Sequence, residues 1–418
     1  MQRIAIVGSG IAGLGAAWLL REHADVTVFE AEARAGGHAH TVMAGTQPVD
    51  TGFIVLNDRN YPYFQSLLAE LEVPTTANDM SFGVSIAGGA IEWAGDSWRT
   101  LFVQTRLIAD AAHWRMLADI LRFNRQGKRL IANDALPDEP LGAFLDRNRY
   151  GRAFAARYLL PMAAAIWSTP AAGMRDFPVA PFLRFFDNHG LLDISDRPQW
   201  RTVAGGSQRY VQAIAAELGP RLRLDCAVTG VERDAAGVRV TTARGDDAHF
   251  DQVVFACHAD TTRALLAGPS AAERRLLSAF TFQRNRAILH TDPALMPRRR
   301  AVWSSWNYLA DRDAVSDQRV AVTYWMNRLQ SIAGATDYFV SLNPLIEPAA
   351  GRVIRELTYD HPVFDGRAVA AQRELDTIQG AGGVWHCGAW CGYGFHEDGL
   401  AAAVRVAEGL GARVAWRR

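Results

Sequence analysis

Apolar runs cut by glycine open the chain. Residues 3–7, Arg-Ile-Ala-Ile-Val, stop at Gly8-Ser9-Gly10-Ile11-Ala12-Gly13, a helically spaced Ala/Leu/Trp-rich stretch runs to about His23, and Asp25-Val26-Thr27-Val28-Phe29 closes on Glu30. Strand, glycine turn, helix, strand and acid in that order predict a βαβ unit. Helical spacing recurs over 61–71 after Pro62, while 81–93 alternates around Gly88-Gly89 as a hairpin does. The pattern predicts helix over 97–131. It also predicts mostly helix from Pro140 to about Phe186, with Pro161, Pro170, Pro178 and Pro181 as breaks. A helix over 210–218 leads into strands over 221–231, 238–242 and 250–257. Aromatic-rich strands are then expected at 287–290, 301–308, 319–326, 338–342 and 353–359, forming an antiparallel sheet. A buried strand at 383–387 and a helix at 400–410 close the chain.

Composition narrows the class. Hydrophobic residues make up 49% and charged residues 21% of the 418, a globular balance, and no apolar run approaches the roughly 18 residues that span a bilayer. Forty-four basic residues offset 44 acidic ones, so no global field recruits nucleic acid. Lys128 is the sole lysine, which leaves 43 of the 44 basic residues as arginine and few candidates for lysine chemistry. Four cysteines are too few for a disulfide framework, and no signal-peptide pattern precedes residue 3, so a cytoplasmic protein is expected.

The strongest chemical signal is Gly8-x-Gly10-x-x-Gly13. It places a tight turn at a helix N-terminus, where free N–H groups and the positive dipole end attract a pyrophosphate. Glu30 lies 22 residues after Gly8, near the spacing of roughly 20 for an acid that binds ribose hydroxyls. A dinucleotide site is the expectation. No second glycine fingerprint for a pyridine nucleotide appears, and no Gly-x-Ser-x-Gly elbow suggests a serine hydrolase.

After Glu30 come Arg34-Ala35-Gly36-Gly37-His38 and Val49-Asp50-Thr51-Gly52. With these segments the chain resembles the flavin amine oxidase superfamily, which also holds phytoene desaturases and protoporphyrinogen oxidases. The resemblance covers nearly the whole chain. It implies an α/β fold: a Rossmann-like FAD-binding domain of the two-dinucleotide-binding-domain type, built from 1–75, 200–275 and 375–418. An α+β substrate domain with an antiparallel sheet, built from 76–199 and 276–374, would be interleaved with it. It implies noncovalent FAD held by Gly8, Gly10, Ile11, Ala12, Gly13, Glu30, Ala31, Arg34, Gly36, Gly37, His38, Thr51, Gly52 and Phe53. Farther along, Val228 on the adenine-reading strand, Ala256 at the end of Val253-Val254-Phe255, and Gly388, Ala389, Glu397, Asp398, Gly399 and Leu400 of the closing motif would complete the set. In that motif a helix N-terminus would face the flavin N1/C2 carbonyl edge, where reduced flavin is negative. Two departures stand out: Ala389 where many relatives carry an acid, and His38 in place of a second arginine.

Many relatives that oxidise amines hold a water near flavin N5 with a lysine, and 280–297 has Arg284, Arg286 and His290 but no lysine. His396, just before the Glu-Asp-Gly turn, and His361, beside Tyr359, are therefore the candidate acid–base residues, with Tyr359 as a third catalytic candidate. Trp303, Ser305 and Asn307, and separately Tyr324 and Met326, are expected to share strand faces that line an apolar pocket. Segments 50–55, 304–308 and 324–330 resemble a bacterial branch often encoded beside cyclopropane-fatty-acyl-phospholipid synthases. That likeness implies a lipid-like (fatty acyl) substrate and desaturation, and a synthase-like partner; amine oxidation and a flavin-binding partner subunit are the alternatives.

Independently, 97–131 carries Arg99, Arg106, Arg115, Arg122, Arg125, Lys128 and Arg129 against Asp110 and Asp119, interleaved with Trp98, Leu101, Phe102, Trp114, Leu117, Leu121 and Phe123. Such a stretch suits peripheral contact with the inner membrane face. Cys387 and Cys391 beside His386 lack a clear fourth ligand, so no metal is expected.

Overall fold

A computed structural model describes residues 1–167, 173–193, 197–314 and 319–416. Five parallel strands form one sheet in the order Leu222–Arg223, Ala24–Phe29, Gln2–Val7, Gln252–Phe255 and Val384–His386. Helices cover it, so its central strands are apolar on both faces, as in Ile4, Ala5 and Ile6, each fully buried. The first helix, Ile11–Leu20, buries all but one of its residues because the closing helix His396–Gly409 lies against it. A Cβ on Gly15 would meet Leu400 at 2.4 Å, so the two helices approach closely only because that position is glycine. A three-stranded antiparallel sheet, Val228–Asp234, Gly237–Thr242 and Asp247–Phe250, precedes the fourth strand of the parallel sheet.

A seven-stranded sheet forms the second region, in the order Val353–Val363, Thr281–His290, Phe339–Leu342, Val320–Trp325, Trp306–Ala310, Phe82–Ile86 and Ile91–Ala94. It is antiparallel except where Trp306–Ala310 runs parallel to Phe82–Ile86. Helices from 111–188 pack on it through Phe123, Phe144, Phe154, Phe182 and Phe186, all essentially fully buried. Strands from both ends of this excursion meet in the small sheet Leu56–Asn57, Trp200–Val203, Thr75–Ala77, where the chain leaves and re-enters the dinucleotide region. No helix among the described residues is long and apolar enough to cross a membrane.

Four expectations are corrected. The stretch 97–131 is not one helix: Trp98–Leu101 and a turn at Thr105–Ile108 precede Ala111–Ala132, which begins where the Asp110 carboxylate accepts from Ala112 N–H. Pro161 does not break its helix, because a π turn at Ala155–Leu159 widens the backbone just before it. Pro181 falls in the first turn of Val179–Asn188, where its missing N–H has no intrahelical partner to lose; Pro170 lies outside the described residues. Finally, the strand expected at 301–308 starts only at Trp306, after a turn at Arg300–Val302. Trp303 and Ser305 therefore share no strand face with Asn307. Trp303 packs against Met296 and Phe339, and Ser305 Oγ donates to the Asp79 carbonyl. Met326 likewise begins a helical turn rather than extending the strand of Tyr324.

Candidate functional site

The glycine turn is dictated by backbone contact. Gly8 has φ +103°, a region that favours glycine, and a Cβ there would lie 3.0 Å from the Ala256 carbonyl oxygen. A Cβ on Gly13 would fall 1.9 Å from Gly8 O, so helix and turn cannot meet with any larger residue at that position. Gly10 differs. Nothing lies within 4 Å of its would-be Cβ, which leaves room in front of the helix N-terminus for a diphosphate. Around that room the other predicted segments converge. Gly36 N donates to Ser9 O (2.9 Å), a Cβ on Gly37 would lie 3.1 Å from Gly10 Cα, and Arg34 Nη2 donates to Gly37 O (2.8 Å). From the closing helix, a Cβ on Gly399 would meet Ile11 at 3.0 Å and Ala389 N at 3.5 Å, which brings the Gly388-Ala389 turn to the same spot.

Glu30 sits at the end of its strand beside the turn, accepting from Ser9 N (2.9 Å), Ser9 Oγ (2.5 Å) and Glu32 N (3.0 Å), with Ala31 exposed next to it. Val228 begins a strand at a bulge and is half-buried, and Ala256 follows the fourth strand with its N–H on Val7 O. Glu397 and Asp398 direct their carboxylates elsewhere. Glu397 accepts from Tyr63 N and Phe64 N (2.8 and 2.9 Å), and Asp398 caps its own helix at Phe395 N (2.9 Å). Burial raises them to about 7 and about 6. Their side chains are capping groups; what this helix end offers a cofactor is its backbone N–H groups, next to buried Gly399 and Leu400.

Beyond Gly37 lies a cluster of rings. His38 lies 5.0 Å from Tyr359, 5.3 Å from His361 and 6.4 Å from His258, centroid to centroid, and the His258 ring stacks on Phe282 at 4.1 Å. Gly52 permits this wrap, since a Cβ there would lie 2.2 Å from His38 O, and Phe53 N donates to the same carbonyl (2.8 Å). The hydrogen bonds fix protons. Thr51 Oγ1 gives its proton to His40 O (2.9 Å), so at 2.8 Å from Tyr359 Oη it accepts, and the tyrosine in turn accepts from His40 Nδ1–H (3.2 Å). Asn285 Oδ1 accepts from Asn343 Nδ2 (2.7 Å) and its Nδ2 donates to Gln283 O (3.1 Å), so Nδ2 also donates to His361 Nδ1 (2.9 Å). His361 therefore carries its proton on Nε2. It presents a donor, which corrects its expected role as a base.

His396 is corrected too. Its ring stacks flat on Phe53 (3.7 Å), its Nε2 is 2.6 Å from Tyr210 Oη, and burial holds it down at about 3, so it is a neutral packing residue. By contrast, His38 Nε2 is buried with no partner among the described residues, and burial, reinforced by His361 and its neighbours, keeps this ring well below the usual histidine range. His361 and His40 are lowered to about 4, chiefly by burial, and the Tyr359 hydroxyl is raised to about 12. Sequence reasoning missed His40, His258 and Asn285. His258 was findable, two residues past Ala256 at a strand end already assigned to the cofactor. Among the described residues no three His, Cys, Asp or Glu side chains are arranged to hold a metal.

The family model described as flavin containing amine oxidoreductase matches residues 11–294, more than half of the chain. The chain belongs to that family. Its cofactor is FAD, and the open space before Gly10 and the glycine contacts around it fit such a group. A putative flavin-containing monoamine oxidase, AofH, of Mycobacterium tuberculosis is 30% identical over 258 residues, 58% of this chain and 54% of that relative. (S)-6-hydroxynicotine oxidase of Paenarthrobacter nicotinovorans is 24% identical over 293 residues, covering 66% of this chain and 64% of that one. The chain thus spans roughly half to two thirds of the length of these curated relatives. Among solved structures, putrescine oxidase bound to putrescine superposes with TM-score 0.73 at 17% identity over 99% of both chains. A CLA-producing fatty acid isomerase from P. acnes does so with TM-score 0.69 at 15% identity over 98% of this chain and 99% of that one. The likeness in fold extends over essentially the whole chain.

Proposed function

We propose that this flavoprotein dehydrogenates an uncharged, lipid-like acyl substrate. The observation that carries the reading is the neutrality of the ring cluster: His38, His40 and His361 are held uncharged by burial and Tyr359 keeps its proton. Asp50, the buried carboxylate that acts on Tyr359, is committed to Thr41, to Ser207 and to Gln330. Asp360 is committed to Arg284. Among the described residues neither carboxylate is left free to draw in an ammonium group. Tyr359 belongs to the same apolar cluster as Ile54, Tyr324 and Phe364, which extends the neutral wall into the aromatic interior of the seven-stranded region. Sole Lys128 is distant, ion-paired to Asp193 on the surface.

FAD, when bound, supplies an acceptor for the hydride from one C–H of the substrate. In the tautomer that carries its proton on Nδ1, His38 takes the proton from the adjacent carbon at Nε2, a buried nitrogen without a partner among the described residues. His361 Nε2–H and the Asn285 network behind it orient, and Tyr359 closes the site against water through Thr51 and His40. Because His38 is depressed, its base form prevails throughout the neutral range, so the rate of flavin reduction is expected to be flat from pH 6.5 to 8 and to fall only in acid.

A second reading, amine oxidation, is favoured by AofH and 6-hydroxynicotine oxidase, two relatives that match in sequence. The fold does not choose, since it serves both putrescine oxidase and a fatty acid isomerase. Anaerobic mixing of the FAD-loaded protein with a methyl-branched or monounsaturated phospholipid extract, and separately with an amine panel, decides. Bleaching of the flavin band by lipid, with a product lighter by two hydrogens, supports the proposal; bleaching by amines alone overturns it. Bound flavin that neither bleaches points to a partner subunit of a lipid-modifying synthase. In the lipid case His38→Gln lowers the reduction rate by about 10²–10⁴-fold while the flavin spectrum stays intact.

A further inference from the structure

One segment of the helical excursion is unusually apolar for a surface. Nine large hydrophobic side chains are exposed among the described residues, and four of them, Trp98 (67% exposed), Ile108 (57%), Leu121 (47%) and Trp114 (46%), lie within this one segment. Three of them, Trp98, Trp114 and Ile108, are physically joined. The Trp98 ring stacks parallel to Phe102 at 6.0 Å, Phe102 lies 4.8 Å from Trp114, and Trp114 Nε1 donates to Ile108 O (2.9 Å). On the helix Ala111–Ala132, buried His113, Met116, Phe123 and Gly127 mark the inward face, so Trp114, Leu121 and Arg125 share the outward one.

Arginines flank this patch, and the exposed acids at its two ends, Asp96 and Asp134, are paired with Arg328 and Arg184. Arg99, Arg125 and Arg129 are exposed and have no carboxylate partner among the described residues, and Arg106 bonds only the neutral Gln104. The segment's own acids are neutralised from within: Asp119 is buried between Arg115 and Arg122, and Asp110 pairs with Arg157. Exposed tryptophans ringed by unpaired arginines match the interfacial layer of an anionic bilayer, where indoles sit among headgroups and arginines meet phosphates. A protein partner would need a matching acidic rim around an aromatic socket.

We infer that residues 98–129 form a docking surface for an anionic lipid bilayer, independent of which substrate the enzyme oxidises. Flotation of the full-length FAD-loaded protein with vesicles of phosphatidylglycerol mixed with phosphatidylcholine, and with phosphatidylcholine alone, tests it. Binding is expected to the anionic vesicles at low salt and to weaken as salt rises. Trp98→Ser with Trp114→Ser should weaken it at least about tenfold. Arg99→Gln, Arg125→Gln and Arg129→Gln together should weaken it on the order of 100-fold, about fivefold per arginine. All of these side chains are exposed, so both variants should keep the parent flavin spectrum and melting temperature. The inference is overturned by no flotation with anionic vesicles at low salt, or by variants that float like the parent. It is overturned as well by sedimentation showing a parent dimer that the tryptophan changes dissociate, which would make the patch an interface between copies.

Discussion

The parallel sheet and the seven-stranded sheet are held to their shapes by different kinds of constraint. Around the parallel sheet the limits are set by backbone meeting backbone: Gly8 against Ala256 O, Gly13 against Gly8 O, Gly52 against His38 O. Around the other sheet they are set by side-chain volume, as in the Phe182 ring, 4.2 Å from Phe186 and 5.7 Å from Trp167. A backbone contact admits one residue type, whereas a packed volume admits several arrangements of similar size. The dinucleotide region is therefore written in glycines that can be read one by one, and the substrate region in an aromatic total that cannot.

Substitution should break the two regions differently. The largest effect is expected from Gly13→Ala, which forces a Cβ into a carbonyl 1.9 Å away: about 4 kcal/mol of stability and the bound flavin should both be lost, as seen by thermal melting and the visible spectrum. Gly10→Val sharpens the point. With nothing within 4 Å of the new Cβ, the apoprotein should melt within about 1 kcal/mol of the parent while failing to retain FAD. Equal destabilisation by both changes would show that the space before Gly10 is not the cofactor's. Next, Phe182→Ala should cost about 3–4 kcal/mol by chemical denaturation, and Phe182→Leu only about 1–2, because volume rather than identity is what that site requires.

A further effect spans both regions and is read by pH. His40, His189, His290, His361 and His386 are lowered to about 4 in the fold and His396 to about 3, against 6.5 in the unfolded chain, each mainly by burial. Between pH 6.5 and 4 the unfolded chain binds more protons at these sites, so their contribution is complete above pH 6.5 and is lost as pH falls. Asp50 and Asp398, raised to about 6, and Glu397, raised to about 7, act oppositely, since there the folded chain binds the extra proton. Six histidines against three carboxylates leave a net loss on acidification, each net proton being worth about 1.4 kcal/mol per pH unit. A melting temperature that rises between pH 6.5 and 4.5 would show the carboxylates to dominate.

The same contrast explains what could be read in advance. The βαβ opening, the double glycine and the closing helix were visible because each depends on contacts that only glycine, or a short apolar run of fixed period, permits. The strand expected at 301–308 failed because aromatic alternation looks alike in a strand and in the turn at Arg300–Val302 that packs Trp303 inward. The π turn before Pro161 was equally hidden, being a response of the backbone to one residue within a helix that tertiary packing keeps intact.

Sequence by itself determined the dinucleotide fold, its glycine contacts and the amphipathic character of 98–129, since each follows from local sterics and periodicity. Only the tertiary structure decided the chemistry of the histidines. His38, His258, His361 and His396 are alike as residues, and their distant partners (His396 held by Tyr210, His361 by Asn285) leave His38 Nε2 without a proton partner. A proton's position depends on which donors and acceptors surround a ring in space, and residues as far apart as 38 and 361 acquire that relation only when the chain folds.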